Sequence, residues 1–75
     1  MNQKLLEIIN SIRVAKGFGI LQEINPSDHL RNDLGFDSFD LAELTVHIED
    51  AFNVDVFFFL FVNTVEEILE ILKKQ

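Results

Sequence analysis

The sequence has no cysteine, few basic residues and no apolar run long enough to cross a bilayer. Without cysteine, neither a disulfide nor a thiolate metal site can hold the fold, which must rest on packing alone. Six Lys/Arg stand against thirteen Asp/Glu, a net charge of −7. That balance repels phosphate backbones and anionic lipid and favours basic partners, so nucleic-acid binding is not expected. The longest nearly apolar stretch, Val54 to Val62, falls far short of the roughly 20 residues a bilayer helix needs, which argues against membrane insertion. Polar residues also interrupt the N-terminus where a signal peptide would have its apolar core, so a soluble, cytoplasmic protein is expected.

What is present is 75 residues, 48% of them apolar, enough for one small domain spanning 1–75 but not for two cores. Leu5, Ile8, Ile9, Ile12 and Ala15 recur at helical spacing, with Leu6 and Val14 at the margin of the same face. They predict a helix from Asn2 to Lys16, with Asn2 as N-cap and Gly17 as the residue that turns the chain at its end. From Gly17 to Asp37 the period is lost and breakers gather at Gly19, Asn25, Pro26, Ser27, Asn32 and Gly35. Ile20, Leu21, Ile24, Leu30, Leu34 and Phe36 remain apolar, which predicts a long loop pinned by its own side chains. Loops of about twenty residues are uncommon in compact domains unless they serve a function.

A second helix is predicted from Asp37-Ser38 to about Phe52, and a third after Thr64, where Glu67 completes a capping box ahead of Val65, Ile68, Leu69 and Leu72. The segment from Val54 to Val62 has strand-like composition but no second strand to pair with, and is assigned a short helical turn. The expected architecture is all-α: a small three- to four-helix bundle with a long loop between the first and second helices.

The second helix carries more than a core stripe. At about 100° per residue, with Asp40 at zero, Leu41, Leu44, Ile48, Ala51 and Phe52 fall roughly between 20° and 120° and suit the core. Phe39, Ala42 and Val46 fall on the opposite side, edged by Glu43, Glu49 and Asp50. An outward apolar strip rimmed by acids is a docking surface for a basic partner, unless the Phe-rich segment folds over it. Ser38, at the start of this helix, stands where backbone N–H groups and the helix dipole favour a phosphate. From position alone a plain N-cap, at Ser38 or at Asp37 beside it, is the commoner use of such residues.

The stretch Leu30-Arg31-Asn32-Asp33-Leu34-Gly35-Phe36-Asp37-Ser38-Phe39-Asp40, followed by Leu41-Ala42-Glu43-Leu44 and Ile48-Glu49-Asp50-Ala51-Phe52, resembles an acyl carrier protein. The resemblance covers nearly the whole chain. It implies that Ser38 carries 4′-phosphopantetheine, derived from coenzyme A, through a phosphodiester, with Asp37 as the acid before it. Phe39 stands where the family usually has leucine. Ala42, Glu43, Val46, Glu49 and Asp50 match positions with which carriers meet the basic surfaces of their enzymes. The implied partners are a phosphopantetheinyl transferase and acyl-synthesising or acyl-transferring enzymes. The chain would hold intermediates as thioesters for fatty acid or polyketide-type synthesis and catalyse nothing itself. A peptidyl or aminoacyl carrier, or an unmodified interaction module with an acidic docking helix, are the alternatives. Five phenylalanine and leucine side chains from Phe57 to Phe61 cannot all point inward, and an exposed remainder would make a homodimer contact, a partner contact or an aggregation-prone segment.

Other constellations are weaker. His47 lies about 180° round the helix from Ser38 and roughly 13 Å along it, too far to act as its base. His29 is expected to be an idle loop residue. Glu43, His47 and Asp50 share a face, but a solvated acidic face is the simpler reading and no metal site is expected.

Overall fold

A computed structural model describes residues 2–53 and 62–74 of the chain. Three helices appear in chain order: α1 (Asn2–Ala15), α2 (Ser38–Phe52) and α3 (Val65–Lys73). Among the described residues there is no strand, only an isolated antiparallel bridge between His29 and Thr64. The all-α expectation and the long loop between the first two helices are both met. The short turn assigned to Val54–Val62, and the dimer contact through Phe57–Phe61, lie outside the described residues except for Val62, which is buried.

The core draws on every described part of the chain. Leu5, Ile9 and Ile12 from α1 and Leu41, Leu44 and Ile48 from α2 meet Leu30, Leu34 and Phe36 from the loop and Val65, Ile68 and Leu72 from α3. Each fully buried aliphatic side chain of this kind contributes about 1.5–3 kcal/mol of transfer free energy. Two expectations for α1 fail. Asn2 is already inside the helix and not its N-cap. Ala15 is exposed, because the helix ends there and its neighbour Lys16 turns inward to polar partners. At the other end of the same helix Gly17 behaves as predicted, with φ +86. The Gly17 N–H donates to the Val14 carbonyl at 2.9 Å and the Phe18 N–H to Arg13 at 2.8 Å, the paired bonds of a Schellman ending.

The loop is pinned less by all its apolar residues than by a few of them and a polar ladder. Leu30, Leu34 and Phe36 are buried and Leu21 and Ile24 pack at the edge, but Ile20 is 63% exposed, so the expectation for it was wrong. Asn10 exchanges two hydrogen bonds with the backbone of Leu21, at 2.8 and 2.9 Å. Arg13 donates to the carbonyls of Gly19 at 3.0 Å and Leu34 at 2.6 Å. Asn10 and Arg13, one turn apart on α1, thus hold the loop against the helix. In its middle the loop serves α3. The Val65 N–H donates to the Asp28 carbonyl at 3.0 Å and Glu66 to Pro26 at 2.9 Å, while Glu67 reaches the Thr64 hydroxyl at 3.3 Å. The amides that a helix start leaves unpaired are thereby used, and the predicted Thr64/Glu67 capping box is present.

Candidate functional site

The loop delivers its last residues to the start of α2. Gly35 takes φ +79, which an L side chain rarely adopts, and the Phe18 ring covers it so closely that a Cβ on Gly35 would lie 2.7 Å from Phe18 Cε2. The ring is in turn faced by Arg13 and Lys16, each with its charge centre 5.4 Å from the centroid. Gly35, Phe18, Arg13 and Lys16 thus fix the path of the chain into Phe36-Asp37-Ser38.

Asp37, not Ser38, is the N-cap. Its Oδ1 accepts the Asp40 N–H at 3.0 Å, and Asp40 Oδ2 accepts the Asp37 N–H at 2.8 Å, a reciprocal box. Asp40 is only 7% exposed and its Oδ2 also takes a short hydrogen bond from Lys16 Nζ, which lies 3.8 Å from Asp37 Oδ2. The end of α1 is therefore tied to the start of α2 through one buried carboxylate. The Asp40 N–H, first, and then the Asp40 side chain and Lys16 hold the Asp37 carboxyl below its ordinary range, against a partial loss of hydration. The Asp40 hydrogen bond raises Lys16 above its own. The Asn63 N–H similarly lowers Glu67.

These shifts have opposite signs in pH. Asp37 and Glu67 are more acidic folded than unfolded, so their contribution is present above the unfolded carboxyl range and is lost as pH falls through the folded values. Lys16 is more basic folded, so its contribution is present below the unfolded lysine value and is lost as pH rises through the folded one. We expect melting temperatures to decline below about pH 4.5 and again above about pH 10.4. Asp37→Asn and Glu67→Gln should flatten the acid limb in a pH series of thermal melts, and an unchanged acid limb in both would contradict the assignment.

With capping done by Asp37, the Ser38 side chain is left out of the helix ending. Ser38 is exposed, and its Oγ accepts one side-chain hydrogen bond, from Arg31 Nη2 at 3.4 Å. Along the outward face Phe39 is 87% and Val46 63% exposed. Ala42, Glu43 and Asp50 are also exposed and Glu49 is half-buried, so the predicted apolar strip and its acidic rim lie open to solvent. Of the expected core stripe, Leu41, Leu44 and Ile48 are buried, whereas Ala51 and Phe52 are only partly covered. Buried Thr45 was not anticipated; its hydroxyl donates to the Leu41 carbonyl at 2.8 Å, which satisfies it within its own helix.

Among the described residues neither histidine hydrogen-bonds to Ser38. The His29 N–H donates to Asp33 Oδ2, and His47 pairs with Glu43 across one helical turn at 3.4 Å. Among the described residues no group of three or more acidic or histidine side chains could hold a metal ion. No helix among them is long and apolar enough to cross a membrane. Sequence reading missed Arg31, Lys16 and Asp40 as members of the site.

The long loop thus presents an exposed serine at the start of an acid-rimmed helix. The chain belongs to the phosphopantetheine attachment site family, whose profile matches residues 13–72 and so includes the whole loop, Asp37 and Ser38. The group that this family attaches is 4′-phosphopantetheine, and its members are carriers, not enzymes. The chain is also similar to a protein named acyl carrier protein from Syntrophus aciditrophicus (strain SB), 39% identical over 57 residues. That match covers 75% of this chain and 65% of the relative's length.

Proposed function

We propose that Ser38 is the attachment residue and that the chain is an acyl carrier for fatty acid or polyketide-type synthesis. The observation that carries this reading is the Ser38 hydroxyl: exposed, free of any capping duty, and inside the segment matched to the attachment family. The residues fit the group. A phosphodiester needs a hydroxyl that a second protein can reach and surroundings that tolerate an anion, and Ser38 has both, with the Arg31 guanidinium beside its Oγ. When bound, 4′-phosphopantetheine supplies a terminal thiol that holds an acyl unit as an activated thioester. The name of the relative supports acyl over aminoacyl cargo.

The work of the chain is presentation. Asp37 fixes the first turn of α2, so Ser38 projects from a rigid helix end and not from a frayed one. Phe39, Ala42 and Val46 offer an apolar strip, and Glu43, Glu49 and Asp50 an acidic rim, to a phosphopantetheinyl transferase and to the acyl-handling enzymes. The net charge of −7 steers basic partners toward it. Incubation with coenzyme A and a promiscuous transferase should add one phosphopantetheine to the wild-type chain by intact-mass measurement. Asp50→Lys should slow that loading about two- to tenfold at low salt, with the gap closing at high salt. Absence of any mass gain on folded wild type would contradict the reading, and equal rates for the two chains would contradict the steering.

A further inference from the structure

We propose that Arg31 is a positioning residue for the arm, its guanidinium pairing with the phosphodiester on Ser38 and holding the root of the arm on the loop side of α2. The proposal rests on Ser38 being the attachment residue. It begins from a shortage. A helix start is ordinarily a ready anion site, but here the Asp40 N–H is already committed to Asp37 Oδ1 at 3.0 Å. The capping group is itself an anion, one residue from Ser38. A phosphodiester at that position therefore meets a carboxylate at close range and an amide that is already used.

A nearby cation has to answer that charge, and among the described residues Arg13 is already given to the carbonyls of Gly19 and Leu34. Lys16 is drawn to Asp40 and Asp37. Arg31 forms no ion pair among the described residues, and its Nη2 already lies 3.4 Å from Ser38 Oγ. That contact is long for a hydrogen bond, so the hydroxyl holds the guanidinium only weakly. A phosphodiester in place of the hydroxyl adds a negative charge and acceptor oxygens, to which the forked donors of arginine are well matched.

The backbone beneath Arg31 is also held. Leu30 is fully buried, and its N–H donates to the Asn63 carbonyl at 2.8 Å. The Arg31 carbonyl accepts from the Gly35 N–H at 3.2 Å, and the Phe36 N–H closes on Leu30 at 3.0 Å. The turn places the Arg31 backbone before any phosphate arrives, which leaves only the side chain to be ordered when one is attached.

The test compares unloaded and loaded forms of wild type, Arg31→Gln and Arg31→Lys, each scored by intact mass before melting. Loading should raise the melting temperature of wild type relative to Arg31→Gln by about 1–6 °C at low salt, and the gap should vanish in 1 M salt, where charges are screened within a few ångströms. Arg31→Lys should keep part of the gap. The ³¹P resonance of the loaded chain should move on Arg31→Gln, which a purely structural role for the side chain would not cause. Identical loading shifts in wild type and Arg31→Gln, with the same ³¹P resonance, would overturn the pairing while leaving the attachment reading intact. Failure of wild type to gain mass would instead overturn the attachment reading, and the pairing with it.

Discussion

Ser38→Ala should take up no phosphopantetheine and yet melt within about 3 °C of wild type. The two halves of this result come from one geometric fact. Had Ser38 been the N-cap, its loss would remove a helix-ending hydrogen bond and destabilise α2. The cap is Asp37, however, and the Ser38 hydroxyl is exposed with a single long contact to Arg31. Removing it costs the fold almost nothing and removes the only hydroxyl side chain in the first turn of α2. Asp37→Ala should show the reverse pattern, with a lower melting temperature and an attachment residue still present. Loading of Ser38→Ala to the wild-type level would place the attachment elsewhere.

Gly35→Ala should be the more damaging change to the fold. An L residue at φ +79 sits in the left-handed region at a cost of roughly 1–2 kcal/mol. The new Cβ would also lie 2.7 Å from Phe18 Cε2, which forces the ring to shift from the place where Arg13 and Lys16 face it. We expect a total of about 1–3 kcal/mol, or a fall of roughly 5–20 °C in a domain of this length. Repeating the substitution in a Phe18→Ala background separates the two causes. The steric part disappears there and the backbone part remains. A melting temperature unchanged by Gly35→Ala would show that this turn does not need its left-handed residue.

Legibility in the sequence followed the range of each interaction. Gly17 as a helix ending, Thr64 with Glu67 as a capping box, and the Leu41/Leu44/Ile48 stripe are spelled within a few residues and appear where the pattern put them. The outward strip of Phe39, Ala42 and Val46 was readable for the same reason, since helical phase alone assigns a face. The choice between Asp37 and Ser38 as cap was not readable, because both suit the role and only the backbone decides, extended at Asp37 and helical from Ser38. The contacts that build the site were hidden by distance along the chain. Lys16 meets Asp40 across 24 residues and Arg31 meets Ser38 across seven, through a loop whose path has no periodicity to read. The same loss of period let Ile20 pass as an anchoring residue when it is exposed. Asn2 failed as a cap because helix starts are the least certain of local signals.

The claim on which the rest depends is that the arm leaves from the Ser38 oxygen, and fragmentation of the loaded wild-type chain tests it most directly. Trypsin should release the segment from Asn32 to Lys73, in which Ser38, Thr45 and Thr64 are the only hydroxyl side chains. Tandem mass spectrometry should place the whole added mass on Ser38; assignment to Thr45 or Thr64, or to a peptide outside this segment, would contradict the account.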